Sequence, residues 1–187
     1  MQASQKGLWR ICRNAESKKV FSLLDPKQGE SLVDLGCGAG YYAIPLSSDF
    51  GLKVLGVDSS PSMLKSVREA GIATHLSSIE SFDGVGQFDK ALIAGVLEFI
   101  AHPELALENC SKLIRDGGRL VILVPGTGVF SAAYKLFHEI QNCPVYLRPV
   151  TEYKRIAKSH GFSPIDASRC TPFSIAMSFI KSLSADA

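Results

Sequence analysis

Two hydrophobic periods take turns along this chain, one helical and one strand-like. Leu8, Ile11, Cys12, Ala15, Val20, Leu23 and Leu24 recur at helical spacing with basic residues between them, and Asp25-Pro26 ends the run. After the polar turn Lys27 to Glu30, a first strand is expected over Leu32 to Leu35 and a helix from Gly40 to about Ser48, which Pro45 shortens or bends. Lys53 to Asp58 reads as a second strand. Ser59-Ser60-Pro61 reads as a cap with proline at the first helical position, opening a helix to Ala70 that Gly71 terminates. Short strands follow at Ala73 to Ser77 and at Phe88 to Ala94, the latter nearly all apolar, as a strand covered on both faces should be. A helix over Pro103 to Ile114 and a tight turn at Asp116-Gly117-Gly118 lead into a fifth strand, Arg119 to Val124.

Strand and helix thus alternate with little left over, which argues for a doubly wound parallel sheet with right-handed crossovers. The remainder departs from that repeat. It holds a helix from Val129 to Gln141, a proline-bearing segment from Cys143 to Pro149, and a helix from Thr151 to His160 closed by Gly161. The last two strands, around Phe162 to Ala167 and Pro172 to Ile180, are separated too briefly for a helical crossover, so they must pair antiparallel. Only Ser182 to Ala187 look frayed.

Composition narrows the reading. The chain has 187 residues, 46% of them apolar, enough to bury one full core. A formal charge of +2 with interspersed signs gives no basic run of the kind that tracks nucleic acid, so no nucleic-acid partner is expected. No apolar run exceeds strand length, and Met1 to Arg10 lacks an apolar signal core, so no membrane span and a cytoplasmic location are expected. The five cysteines are scattered without a Cys-x-x-Cys pair, which points to reduced, structural thiols and to no metal site.

The chemistry gathers at Ser31-Leu32-Val33-Asp34-Leu35-Gly36-Cys37-Gly38-Ala39-Gly40, an apolar strand running into a glycine loop, and at Val54-Leu55-Gly56-Val57-Asp58, a second strand ending on a carboxylate. A glycine turn between strand and helix lets a ligand approach the backbone, and an acidic residue at the neighbouring strand tip can accept hydrogen bonds from a ribose. Together they describe a nucleoside-type cofactor across the carboxyl edge of a sheet. The dinucleotide pattern wants a third glycine where Tyr41 stands, and Asp34 just before the loop repels a pyrophosphate but not a cation.

At this point the chain resembles the class I S-adenosylmethionine-dependent methyltransferases, in particular the small-molecule type often called type 11. Val33 to Gly40 and Gly56 to Leu64 carry its first two motifs, Phe88 to Glu98 its fourth-strand motif, and Leu113 to Ile122 its entry to the fifth strand. The resemblance implies a Rossmann-like, doubly wound, seven-stranded sheet, mostly parallel with a reversed last strand, in a single domain. Within it, 1–30 form an N-terminal helix, 31–125 the cofactor-binding core, 126–150 a lid or substrate insertion, and 151–187 a C-terminal helix and strand pair.

It further implies S-adenosylmethionine as cofactor, S-adenosylhomocysteine as product and in-line methyl transfer to a small molecule. The cofactor residues carried over are Asp34, Gly36, Cys37, Gly38 and Gly40 at the methionine end, with the Ala94 carbonyl, and Asp58 at the ribose. Ser59 and Met63 border the adenine. Ser78 stands where many relatives have an adenine-binding aspartate, leaving Ser78, the backbone around Ile79, or Glu80 to hold the base. Glu98 and His138 are the candidate catalytic bases, although methyl transfer needs none. Trp9, Tyr42, Phe130, Tyr134 and Tyr146 are the candidate acceptor wall. His102 reads as a helix cap, and Arg148 as a carboxylate clamp or an exposed arginine. The alternative reading is a non-catalytic cofactor-binding or scaffold protein of the same fold.

Overall fold

A computed structural model describes residues 2–84, 86–127, 135 and 142–183, with side chains from Arg10 onward. The elements in chain order are α1 (Gln2–Leu24), β1 (Ser31–Leu35), α2 (Ala43–Ser48), β2 (Lys53–Asp58), α3 (Leu64–Glu69), β3 (Ala73–Leu76), β4 (Phe88–Ala94), a 3-10 turn (Leu97–Phe99), α4 (Pro103–Leu113), β5 (Ile114–Pro125), α5 (Val150–Ser159), β6 (Phe162–Thr171) and β7 (Ser174–Lys181). The helix expected over Val129 to Gln141 lies outside the described residues.

Seven strands form one sheet in the order β3-β2-β1-β4-β5-β7-β6. The first five pair in parallel, and β7 runs antiparallel between β5 and β6. Only Pro172 and Phe173 separate β6 from β7, too few for a crossover, so the pair closes as a hairpin. Its tip is tied to the end of β5, where the Gly126 N–H donates to the Phe173 carbonyl at 2.8 Å.

Strand alternation sorts the core into two layers. Leu32, Val54, Leu92, Val121 and Leu123 pack against Val20 and Leu24 of α1, Leu46 of α2, and Leu64 and Val67 of α3. The intervening Val33, Leu35, Ala91, Ile93, Leu120 and Ile122 face the other way, onto Leu107 and Cys110 of α4 and Tyr153 and Ile156 of α5. Helices therefore cover both faces, which is why the central strands read as unbroken apolar runs.

Several boundaries differ from expectation for local reasons. The second helix begins at Ala43 rather than Gly40, which places Pro45 in its first turn, where its missing N–H has no intrahelical partner to lose. The third begins at Leu64, and no serine hydroxyl caps it. Instead Asp58 accepts the Ser60 N–H at 2.9 Å and shapes the turn itself. His102 sits at the start of α4 but makes no side-chain cap bond, with Pro103 supplying the first helical residue. The expected Asp116-Gly117-Gly118 turn is an irregularity inside β5, where the register jumps from Phe88–Ile114 to Lys90–Arg119.

Leu92, fully buried on a central strand, tests the layering. Leu92→Ala should cost about 2–5 kcal/mol in a urea unfolding titration and lower the melting temperature by roughly 5–20 °C.

Candidate functional site

The carboxyl edge of β1 and β2 builds the site from backbone outward. After Leu35 the chain turns sharply: Gly36 and Cys37 both donate N–H groups to the Val57 carbonyl, at 2.7 and 2.9 Å, folding the loop over the end of β2. Gly36 has φ +78°, and a Cβ on it would lie 2.2 Å from Val96 Cγ2, so no side chain fits between this turn and the loop after β4. Gly38, at φ +53°, meets the opposite condition, because a Cβ there would touch nothing within 4 Å and would project into open space. Any side chain there would occupy room left for something else.

Asp58 closes this arrangement. Its Oδ2 accepts the Gly38 N–H at 2.8 Å and its Oδ1 accepts the Ser60 N–H at 2.9 Å. Each oxygen is thus fixed by one donor and keeps lone-pair capacity for another. Asp34 behaves differently, being 1% exposed with no hydrogen-bond partner for Oδ2 among the described residues. Burial pushes its carboxyl up to about 7, and the neighbouring Asp58 charge adds to the shift.

A cleft of about 420 Å³ opens beside these groups. Of the residues singled out from sequence, Gly36, Gly38, Asp58 and Ser59 line one side. Met63, Ser78, Ile79 and Glu80 line it further along. Asp34, Cys37, Gly40 and Ala94 are not among its lining residues. The Cys37 side chain is buried, and its Sγ occupies the space where Gly56 lacks a Cβ. Burial first, then the charges of Asp34 and Asp58, push that thiol up to about 12, so it is not a thiolate near neutral pH.

Ser60, Gly95, Val96, Phe99 and Ile100 complete the lining and were not singled out from sequence. The available signal was the run Gly95-Val96-Leu97-Glu98 after the fourth strand. A 3-10 turn over Leu97–Phe99 folds this run back so that its apolar side chains form a wall. Within the turn Glu98 is buried at 3% exposure, not solvent-facing.

The acceptor-wall candidates scatter. Tyr42 is buried between α1 and α2, edge-on to Phe21 and Tyr41, and its hydroxyl has no hydrogen-bond partner among the described residues. Burial raises that phenol well above its ordinary range. Tyr146 is partly exposed and donates its N–H to the Glu98 carbonyl at 2.7 Å. The Trp9 side chain, Phe130, Tyr134 and His138 lie outside the described residues. Arg148 is neither an exposed arginine nor a clamp, because it is committed to the Ile100 and Ala101 carbonyls at 3.0 and 2.7 Å and to Glu152 at 3.3 Å. Among the described residues, no three potential metal ligands gather and no helix is long and apolar enough to cross a membrane.

A family model described as a methyltransferase domain matches residues 33–122, the span from the glycine loop to β5. The ubiquinone biosynthesis O-methyltransferase of Nitrobacter winogradskyi is 32% identical over 114 residues, covering 58% of this chain and 41% of that protein. The chain spans about two-fifths of the length of such curated relatives. Among solved structures, a chain of the complex between the Haloferax volcanii Trm112 methyltransferase activator and a methyltransferase superposes with TM-score 0.80 at 15% identity, covering 97% of this chain and 95% of that one. Magnesium protoporphyrin IX methyltransferase from Synechocystis PCC 6803, solved with bound SAH, gives TM-score 0.74 at 18% identity over 94% of this chain and 87% of that one. The reversed last strand expected from sequence is present as β7, antiparallel to β5, within a fold that these solved structures share.

Asp34 makes stability depend on pH. Its folded-state value lies above the ordinary 3.8, so between about pH 4 and pH 7 the folded chain keeps a proton that the unfolded chain has lost. Its contribution to stability therefore falls as pH rises through that window. Asp34→Asn should melt near the wild-type temperature at pH 4 and several degrees above it at pH 8. Parallel melting curves across pH would contradict the buried, protonated carboxyl.

Proposed function

We propose that this chain is an S-adenosylmethionine-dependent methyltransferase acting on a small-molecule acceptor by in-line methyl transfer. The observation that carries the reading is the pair of carboxylates flanking the glycine loop, one bridged by two backbone N–H groups and the other buried with an oxygen left unpartnered. A buried carboxylate facing no cation is costly, and a positively charged ligand brought beside it relieves that cost. A pyrophosphate in the same place would increase it. The residues present thus fit a cationic nucleoside and fit a dinucleotide poorly.

In this reading the Gly36 to Gly40 backbone borders the amino-acid end of the cofactor, with Asp34 behind it. Asp58 offers its remaining lone pairs to the ribose hydroxyls. Met63, Ser78, Ile79 and Glu80 border the base. When bound, the cofactor supplies a methyl group activated on a sulfonium sulfur that leaves uncharged. Val96, Phe99 and Ile100 exclude water from one wall of the cleft, which strengthens the electrostatics within it. Alignment of the reacting groups alone is worth on the order of 7–11 kcal/mol, so the chemistry does not require a dedicated base. Glu98, buried in the turn beside that wall, is the described candidate for accepting a proton from a hydroxyl or ammonium acceptor.

Calorimetric titration tests the reading. Wild-type protein should bind S-adenosylhomocysteine and release no heat with NAD. Asp58→Ala should weaken binding at least about a hundredfold, the loss of two charge-assisted hydrogen bonds. Binding of NAD instead, or an unchanged affinity in Asp58→Ala, would refute it. Incubation with methyl-labelled cofactor and fractionated metabolite extracts tests the acceptor class, and binding without transfer to any fraction would favour the scaffold alternative.

A further inference from the structure

The loop after β3 is held from underneath by a residue far away in sequence. Asn109, on the second turn of α4, directs its side-chain amide at that loop: Nδ2 donates to the Glu80 carbonyl at 2.7 Å and to the Ile79 carbonyl at 3.3 Å. Other bonds set the rest of the loop. The Ser77 N–H reaches the Asp58 carbonyl at 3.1 Å, and the Ser81 N–H returns to both the carbonyl and the hydroxyl of Ser78, each at 3.2 Å. The Ser78 hydroxyl is therefore already engaged in closing the turn.

Because the peptide unit is planar and trans, a carbonyl pointing at α4 turns the N–H on the other side of the same bond away from α4. Asn109 thus fixes how the Ile79–Glu80 peptide is presented where Ile79 and Glu80 line the cleft. We infer that Asn109 is a positioning residue for the nucleobase end of the cleft, orienting a main-chain recognition surface in a chain that carries Ser78 in place of an aspartate. This rests on the reading of the cleft as the cofactor site. A primary amide is suited to the task because it has two donors on one nitrogen and serves two adjacent carbonyls at once. Aspartate has the same shape, but when ionised it would face those carbonyls with charge and no donor.

The test is calorimetric titration with S-adenosylhomocysteine of wild type, Asn109→Asp and Asn109→Leu at pH 8, 6.5 and 5, with melting temperatures measured without ligand. At pH 8 both variants should bind about tenfold more weakly than wild type. For Asn109→Asp the gap should narrow toward pH 5, where the introduced carboxyl takes up a proton and regains one donor. For Asn109→Leu the ratio to wild type should stay constant with pH. A merely structural role would lower melting temperature without this difference in pH profile. Affinity within twofold of wild type in either variant at pH 8, or a pH-independent ratio for Asn109→Asp, would overturn the inference. Should Asn109→Asp fail to fold, Asn109→Leu decides on affinity alone. Absence of binding by wild type itself would overturn the underlying cofactor reading instead.

Discussion

The site depends on one carboxylate doing two things at once. Asp58 ends β2, and its two oxygens take N–H groups from Gly38 in the glycine loop and from Ser60 in the turn toward α3. Two loops of different origin are thereby locked to the same strand tip. Both donors are backbone groups that cannot rotate away, so the Asp58 side chain is held in one orientation. Asp58 is here first a structural clip, and each oxygen keeps lone-pair capacity beyond the bond that holds it.

Asp34 supplies the opposing constraint. One strand over from Asp58 and sealed from solvent, it carries an oxygen that no donor among the described residues meets. A fold optimised for stability alone would place an apolar residue there, as it does at Leu32 and Val33 on either side of the sheet. Retaining a strained carboxyl at the ligand edge is the kind of local violation that marks a functional position. Cys37 and Gly56 show the same region packed with care, a thiol filling the space that a missing Cβ leaves.

Much of the fold was legible in the sequence because its periods are unambiguous. The apolar run Phe88 to Ala94 coincides with β4 at both ends, and the short separation of the last two strand candidates forced the antiparallel pair, although the hairpin turn falls at Pro172-Phe173 rather than before Pro172. What escaped was decided over distance or by short-range compensation. The start of α2 moved so that Pro45 fell into its first turn. The 3-10 turn at Leu97–Phe99 is too short to show a period, so the burial of Glu98 and the wall made by Val96, Phe99 and Ile100 left no trace in the pattern. In the site, the residues on strand tips and the glycine loop were readable because spacing alone places them. Arg148 and Asn109 were not, since each acts on carbonyls 47 and 30 residues or so away, and backbone acceptors have no sequence signature.

The hairpin of β6 and β7 has an evolutionary corollary. Since β7 is inserted beside β5 in reverse, its first residue, Ser174, sits opposite Pro125, and the exposed Phe173 stands at the same rim of the sheet where the parallel strands end. A tip of this kind carries no crossover helix and no part of the glycine cradle. Insertions or side-chain exchanges there reshape the rim while leaving strand order and the acidic pair untouched.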